Sequence, residues 1–330
     1  MKNRKPELGS HNLVLGVDIG GTKIAAGLVN SRGRVLHAAS GPMIARLTTN
    51  DGLRAVLDTM DSVMANVRAS KVAAIGVCVP GWVDSERGVL LSATNLPCWR
   101  NFALARNIVG HSELPVRLTN DANAAALAEA KWGAGAAYRD IFYVSLGTGV
   151  GTAMVRDGEI SHGRTGGGEG GHMTINFRGP LCGCGKRGCI EMYASGTAIA
   201  RRARGVWGES GSFHSRAMQM AGGGVSGVTA EFVSKAAAAG DALAKQILEE
   251  AADRLAIWLG GIIDLLEPQA IVIGGGMGRV MISFRGRIRQ RLETWAINPR
   301  RHKIPIVGAR YGPQSGIAGA AAQWFARRSS

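Results

Sequence analysis

The chain has 330 residues, 46% of them hydrophobic, which is room for two packed domains. Its formal charge is +15, but the basic residues are scattered, with small clusters at 201–204, 285–291, 300–303 and 327–328. Only 5% of residues are aromatic and no basic strip is interleaved with them, so the charge reads as a basic surface and no nucleic-acid partner is expected.

The opening MKNRKPELGSHN is polar and lacks the apolar core of a signal peptide. Residues 13–17 (LVLGV) are an apolar run ending in Asp18-Ile19-Gly20-Gly21-Thr22-Lys23. A second run, 24–29, follows directly, then a turn at Asn30-Ser31-Arg32-Gly33 and a third run from Val35. This is strand, tight turn, strand, turn, strand. Between 51 and 68, Leu53, Val56, Leu57, Met60, Val63, Met64 and Val67 share one helical face. Residues 72–79 read as a buried strand ending at Pro80-Gly81, and 116–118 lead through Asn120-Asp121 into an Ala-rich helix from Ala122 to Lys131.

The opening device then recurs. Residues 141–146 run into Gly147-Thr148-Gly149-Val150-Gly151, a second apolar run covers 152–155, and a turn follows at Arg156-Asp157-Gly158. Two copies of one glycine-turned hairpin predict two related α/β lobes facing each other across a cleft. The Gly/Ser-rich stretch 205–228 is expected to be a loop or connection. Helical pattern resumes at Thr229, breaks at Gly240, and continues from Asp241 to Leu266, stopping before Pro268. Within the apolar stretch 255–276, Asp264, Glu267 and Pro268 exclude a membrane span. Residues 270–273 are a strand ending in Gly274-Gly275-Gly276-Met277-Gly278, and the Ala-rich segment 315–325 reads as a helix.

Four groups of residues carry chemistry. In the first hairpin, Gly20 and Gly21 let backbone N–H groups close on phosphate oxygens, the Thr22 hydroxyl adds a donor, and Asp18 can hold Mg²⁺. No GKS or GKT follows and the next segment is a strand, so this is neither a Walker A loop nor a dinucleotide fingerprint. Gly147, Thr148 and Gly149 form the matching second phosphate turn, and Gly274, Gly275 and Gly276 at a strand end can seat an adenine or ribose. Asn120 or Asp121 caps a helix, where a carboxylate stays ionised and can act as a base. Finally, His172, Cys182, Cys184 and Cys189 have the composition and density of a closed Cys₃His zinc site in a reducing compartment, with Gly183, Gly185 and Gly188 supplying the turns. Four protein ligands leave no open position, so that metal is expected to be structural. Glu169 and Glu191 flank the cluster and are candidates to hydrogen-bond sugar hydroxyls. Cys78 and Cys98 read as ordinary core thiols.

In this order, these motifs resemble the ROK family (repressors, open reading frames and kinases) of the actin–hexokinase ATPase superfamily. The most specific piece is Glu169-Gly170-Gly171-His172 followed by Cys182-Gly183-Cys184-Gly185-Lys186-Arg187-Gly188-Cys189-Ile190-Glu191. The resemblance implies two ribonuclease-H-like lobes, an N-terminal one over 12–119 to which the C-terminal helix, 314–330, returns, and a larger one over 120–313 with the zinc site. It further implies ATP with Mg²⁺, structural zinc, and a hexose lined by Asn95, Asn120, Glu169, His172 and Glu191. Asp121 would be the base on the sugar 6-hydroxyl, with Asp18, Gly20, Gly21, Thr22 and Lys23 serving the phosphates. Glucose is the expected acceptor, with N-acetylglucosamine, N-acetylmannosamine or fructose as alternatives within the kinases. A non-catalytic sugar-sensing regulator is the alternative outside them. Family repressors carry a DNA-binding domain ahead of the core, and the residues ahead of Asp18 are too few for one. A cytoplasmic homodimer or homotetramer is expected.

Overall fold

The computed structural model describes residues 12–44, 48–65, 67–162, 168–209 and 225–325. Its elements run β1 (Leu13–Ile19), β2 (Lys23–Val29), β3 (Val35–Pro42), α1 (Thr49–Met64), β4 (Val72–Val79), β5 (Trp82–Asp84), β6 (Val89–Ser92), α2 (Leu104–Ser112), β7 (Val116–Asn120) and α3 (Asp121–Trp132). They continue with β8 (Ile141–Leu146), β9 (Val150–Arg156), β10 (Glu159–Ile160), α4 (Glu191–Ala194), α5 (Gly196–Glu209), α6 (Ala230–Ala238) and α7 (Ala242–Leu266). The last are β11 (Ala270–Gly274), α8 (Gly278–Ser283), α9 (Arg285–Trp295), β12 (Ile306–Gly308) and α10 (Ser315–Ala322). Two compact units result, one of residues 1–139, 154–168 and 310–330, the other of 140–153 and 169–309. Residues 120–139, expected in the C-terminal lobe, fall in the first unit because α3 packs against α10.

The first sheet has the order β3-β2-β1-β4-β7. β1 and β2 pair antiparallel through the Gly20-Gly21 turn, while β1, β4 and β7 are parallel. Strand alternation sends Leu15, Val17, Ile75 and Val77 to one face, where Val56 and Met60 of α1 and Ile108 of α2 join them in a buried core. Val14 and Ala74 face the other way, towards Ile317 and Ala321 of α10 and the rings of Trp324 and Phe325. Because α10 is almost all Gly and Ala, its backbone lies directly on the sheet. A Cβ at Gly76 would stand 1.9 Å from the Ala320 carbonyl oxygen, so any larger residue there would push the helix off. Within α3, Glu129 is fully buried. Its carboxylate accepts backbone N–H groups from Arg310 (2.7 Å), Tyr311 (2.8 Å) and Ala134 (2.7 Å), which fastens the end of α3 to the returning chain.

The second sheet repeats the plan, with order β10-β9-β8-β11-β12 and parallel β8, β11 and β12. Asp241 caps α7 by accepting the Ala244 N–H at 2.8 Å, and the helix ends in a left-handed residue, Glu267, just before Pro268. Its face of Ile247, Leu255, Trp258, Leu259 and Ile263 is buried. On its other side, Asp253 takes Nε and Nη2 of Arg287 at 2.7 and 2.8 Å and Nε of Arg291 at 3.1 Å. The Arg287 hydrogen bonds hold the Asp253 carboxyl below its ordinary range despite partial burial. Part of the basic cluster at 285–291 is therefore paired within the chain.

The expected loop over 205–228 is corrected at its start. α5 continues to Glu209, with Trp207 buried and edge-on to Phe232 at 5.7 Å between ring centroids. Burying one large ring outweighs the low helix propensity of Gly205 and Gly208. Residues 225–227 form a single tight turn of helix, and 210–224 lie outside the described residues. Among the described residues, no helix is long and apolar enough to cross a membrane.

Candidate active site

In the first unit the predicted residues collect at the C-terminal ends of the parallel strands, where open α/β sheets present ligands. Asp18 lies near the end of β1, and the register Asp18↔Cys78 and Cys78↔Thr119 brings β7 to the same level, so Asn120 and Asp121 emerge at that edge. The hairpin turn is closed by the Gly20 N–H on the Lys23 carbonyl at 2.8 Å. Asn95 packs against Gly21, where an added Cβ would lie 2.7 Å from the Asn95 Cβ. Gly21, Thr22, Thr94, Asn95 and Pro97 line one cavity of about 530 Å³. The first phosphate turn and Asn95 thus share a space large enough for a small ligand.

Of the two capping candidates, Asn120 is the cap. Its Oδ1 accepts the Ala122 N–H at 2.8 Å, and its Nδ2 donates to the Gly81 carbonyl at 3.0 Å. Asp121 is the first helical residue, its Oδ1 also 2.8 Å from the Ala122 nitrogen. Asp18 is in a different setting. Burial raises its carboxyl above the ordinary value, opposed by a hydrogen bond from the Cys78 thiol and by the charge of Lys23.

In the second unit the turn Gly147-Thr148-Gly149 is held from three sides. Gly147 N–H bonds the Gly149 carbonyl at 3.0 Å, Gly196 N–H donates to the Gly147 carbonyl at 2.8 Å, and Thr197 Oγ1 donates to the Thr148 carbonyl at 2.8 Å. The start of α5 is therefore a support that sequence reading missed. The available signal was Ser195, a buried hydroxyl that accepts the Ala198 N–H at 3.1 Å as a helix cap does. Gly275 sits beside this turn at φ +84°, and Met277 N–H bonds the Leu146 carbonyl at 2.9 Å. The predicted nucleotide glycines 274–276 and the second phosphate turn are therefore neighbours.

The four zinc candidates meet, with all ligand atoms within 4.8 Å of one another. Zinc at about 2.3 Å from sulfur and about 2.05 Å from nitrogen would set tetrahedral ligands about 3.8 Å apart (S to S) and about 3.6 Å apart (S to N). Cys184 and Cys189 Sγ are 3.7 Å apart, and Cys182 Sγ is 3.6 Å from His172 Nδ1. Burial and the neighbouring thiols push Cys189 up to about 12, so a cation is what would let these sulfurs ionise together. The residues fit zinc, with Nδ1 the imidazole atom facing the thiols.

Glu191 connects this cluster to the phosphate turn. Its Oε2 accepts the Val150 N–H at 2.9 Å, and its Oε1 lies 4.0 Å from His172 Nδ1. A Cβ at Gly149 would meet Oε2 at 2.5 Å, so a larger residue there would make this carboxylate shift. Glu169 precedes the turn Gly170–His172, and burial raises its carboxyl, with Glu191 adding to that and His172 opposing it. Gly170 N–H bonds Thr152 Oγ1 at 2.8 Å while its carbonyl accepts Trp258 Nε1–H at 3.1 Å. Those two bonds fix the backbone that carries Glu169 and His172.

With this geometry in place, the comparisons identify the lineage: the chain belongs to the ROK family, whose model matches residues 14–327. The glucokinase of Thermotoga maritima is 32% identical over 309 residues, covering 93% of this chain and 96% of that one. The N-acetylmannosamine kinase of Citrobacter koseri is 30% identical over 311 residues, covering 93% and 97%. Among solved structures, a ROK family glucokinase from Streptomyces griseus in complex with glucose and AMPPNP superposes with a TM-score of 0.81 at 32% identity. It covers 94% of this chain and 99% of that one.

Proposed function

We propose that the protein is an ATP-dependent hexose kinase that transfers the γ-phosphoryl group to the 6-hydroxyl of glucose. The observation that carries this reading is the gathering of Asp18, the Gly20-Gly21-Thr22 turn, Asn95, Asn120 and Asp121 at one end of the first sheet. The glucose- and AMPPNP-bound relative supports the choice of donor and acceptor. Asp121 would accept the hydroxyl proton, and Asn95 and Asn120 would hold neighbouring hydroxyls. Gly20, Gly21, Thr22 and Lys23 would serve the phosphates, with Asp18 holding Mg²⁺, which neutralises phosphate charge when bound. In the second unit, Gly147, Thr148 and Gly149 would bind phosphate and Gly274, Gly275 and Gly276 the nucleoside, while Glu169, His172 and Glu191 would contact sugar. His172, Cys182, Cys184 and Cys189 would hold a structural zinc that keeps the Glu169 and Glu191 backbone in place. A cytoplasmic homo-oligomer without nucleic acid or membrane partners completes the reading.

The Citrobacter koseri relative favours a second acceptor, N-acetylmannosamine. One assay separates the two: coupled ATP consumption across glucose, fructose, N-acetylglucosamine and N-acetylmannosamine. The expected result is the highest kcat/KM for glucose. A higher value for an acetamido sugar would overturn the acceptor, and no turnover with any sugar would overturn the kinase.

A further inference from the structure

Cys78 stands on β4 as the register partner of Asp18 on β1. It is fully buried, with Ala124 and Ala320 as its apolar companions. Its Sγ lies 3.5 Å from Asp18 Oδ1 and 3.5 Å from the Gly316 carbonyl oxygen. The other carboxylate oxygen faces the first turn of α10, where a Cβ on Gly316 would be 2.1 Å from Oδ2 and 2.3 Å from Cγ. The Asp18 carboxylate therefore occupies a slot with a thiol at one oxygen and bare backbone at the other.

We propose that Cys78 and Gly316 are positioning residues for the phosphoryl-transfer reaction, holding the Asp18 carboxylate in the orientation that receives the metal–nucleotide. This rests on the kinase reading above. Between a carbonyl and a carboxylate, the S–H goes preferentially to the stronger acceptor, the carboxylate. The charged groups acting on the pair are Lys23 from β2 and Asp121 from α3, and the first turn of α10 carries no acidic residue. The thiol at one oxygen and the close backbone at the other together fix the orientation of the Asp18 carboxylate.

Cys78→Val and Cys78→Ser divide donor from filler. Valine is apolar, larger than cysteine by about a methyl group and has no donor, whereas serine keeps a donor and loses volume. KM for Mg–ATP, KM for sugar, kcat and Tm would be measured for each. In Cys78→Val, KM for Mg–ATP is expected to rise about 3- to 10-fold with sugar KM unchanged. Cys78→Ser should stay within about twofold of the parent. A packing role instead lowers Tm in both variants without a selective rise in KM for Mg–ATP in Cys78→Val, and that result or parental values in Cys78→Val would overturn the proposal. Gly316→Ala, which displaces the carboxylate from the other side, should raise KM for Mg–ATP selectively and carries the same test if the valine variant does not fold. Asp18→Asn keeps the two failures apart. Full activity there removes the reading of Asp18 itself, while an inactive Asp18→Asn beside an unaffected Cys78→Val removes only the positioning role.

Discussion

Asp121→Asn should abolish most turnover while leaving the fold nearly intact, and the structure says why the two separate. The helix is capped by Asn120, not Asp121, through the 2.8 Å bond from Ala122 N–H. The substituted amide keeps an oxygen for the same N–H, so the loss is confined to the charge at a helix start, about 0.3–1 kcal/mol. For a chain of this size that is a Tm decrease of no more than about 1.5 °C. The amide cannot take the hydroxyl proton, so kcat should fall by about 10²–10⁴-fold. Sugar KM should move much less, because the amide still hydrogen-bonds a hydroxyl. Asn120→Ala is the complementary perturbation. It removes the cap, about 1 kcal/mol, and strands the Gly81 carbonyl now 3.0 Å from Nδ2, about another 1 kcal/mol. A Tm decrease of about 3 °C follows from those two losses. Steady-state kinetics and thermal melts of both variants read the two patterns. A folded Asp121→Asn protein with parental kcat would refute the assignment of the base.

Three further outcomes are expected. Purified protein should contain about one zinc per chain, and Cys184→Ser should lower both zinc retention and Tm; active protein without zinc by metal analysis would count against the site. Glu129→Ala orphans the N–H groups of Ala134, Arg310 and Tyr311, at about 1–3 kcal/mol each if they stay dry. Urea unfolding should therefore show a loss of at least about 3 kcal/mol, and a loss below about 1 kcal/mol would mean that water replaces the carboxylate. Burial raises the carboxyl pKa of folded Asp18, so its ionised form costs stability at neutral pH, and that cost is relieved as pH falls through the folded pKa. Asp18→Asn should accordingly raise Tm at pH 7, with the gain shrinking in the acid range; an unchanged or lower Tm at pH 7 would contradict the account.

Much of the site was legible because its pieces are local. A glycine pair between two apolar runs is a hairpin wherever it occurs, and its recurrence at residues 147–149 announced a second sheet with the order of the first. Cys182, Cys184 and Cys189 are close in the chain, so their glycine-rich spacing alone marked a candidate metal loop, and the fold brings His172 within 4.8 Å of the three sulfurs. Asn120-Asp121 before an alanine run marked a helix start, although only the hydrogen bonds decided which residue caps.

What the tertiary structure alone decided are contacts between residues far apart in sequence. Cys78 read as a core thiol, and its place beside Asp18 depends on β4 pairing parallel with β1. Gly316 looked like one small residue in an alanine-rich helix, until the packing of that helix on the sheet put its backbone against a carboxylate. Glu129 lies in a helix marked in the sequence only by its alanines, and the three N–H groups that make its burial tolerable come from a loop after α3 and from residues 310–311. Trp207 overrode the glycines around it, and α3 joined the first unit, for the same reason. Propensity, turn chemistry and ligand spacing act within about ten residues, whereas burial and hydrogen bonding between distant segments exist only once the layers have packed.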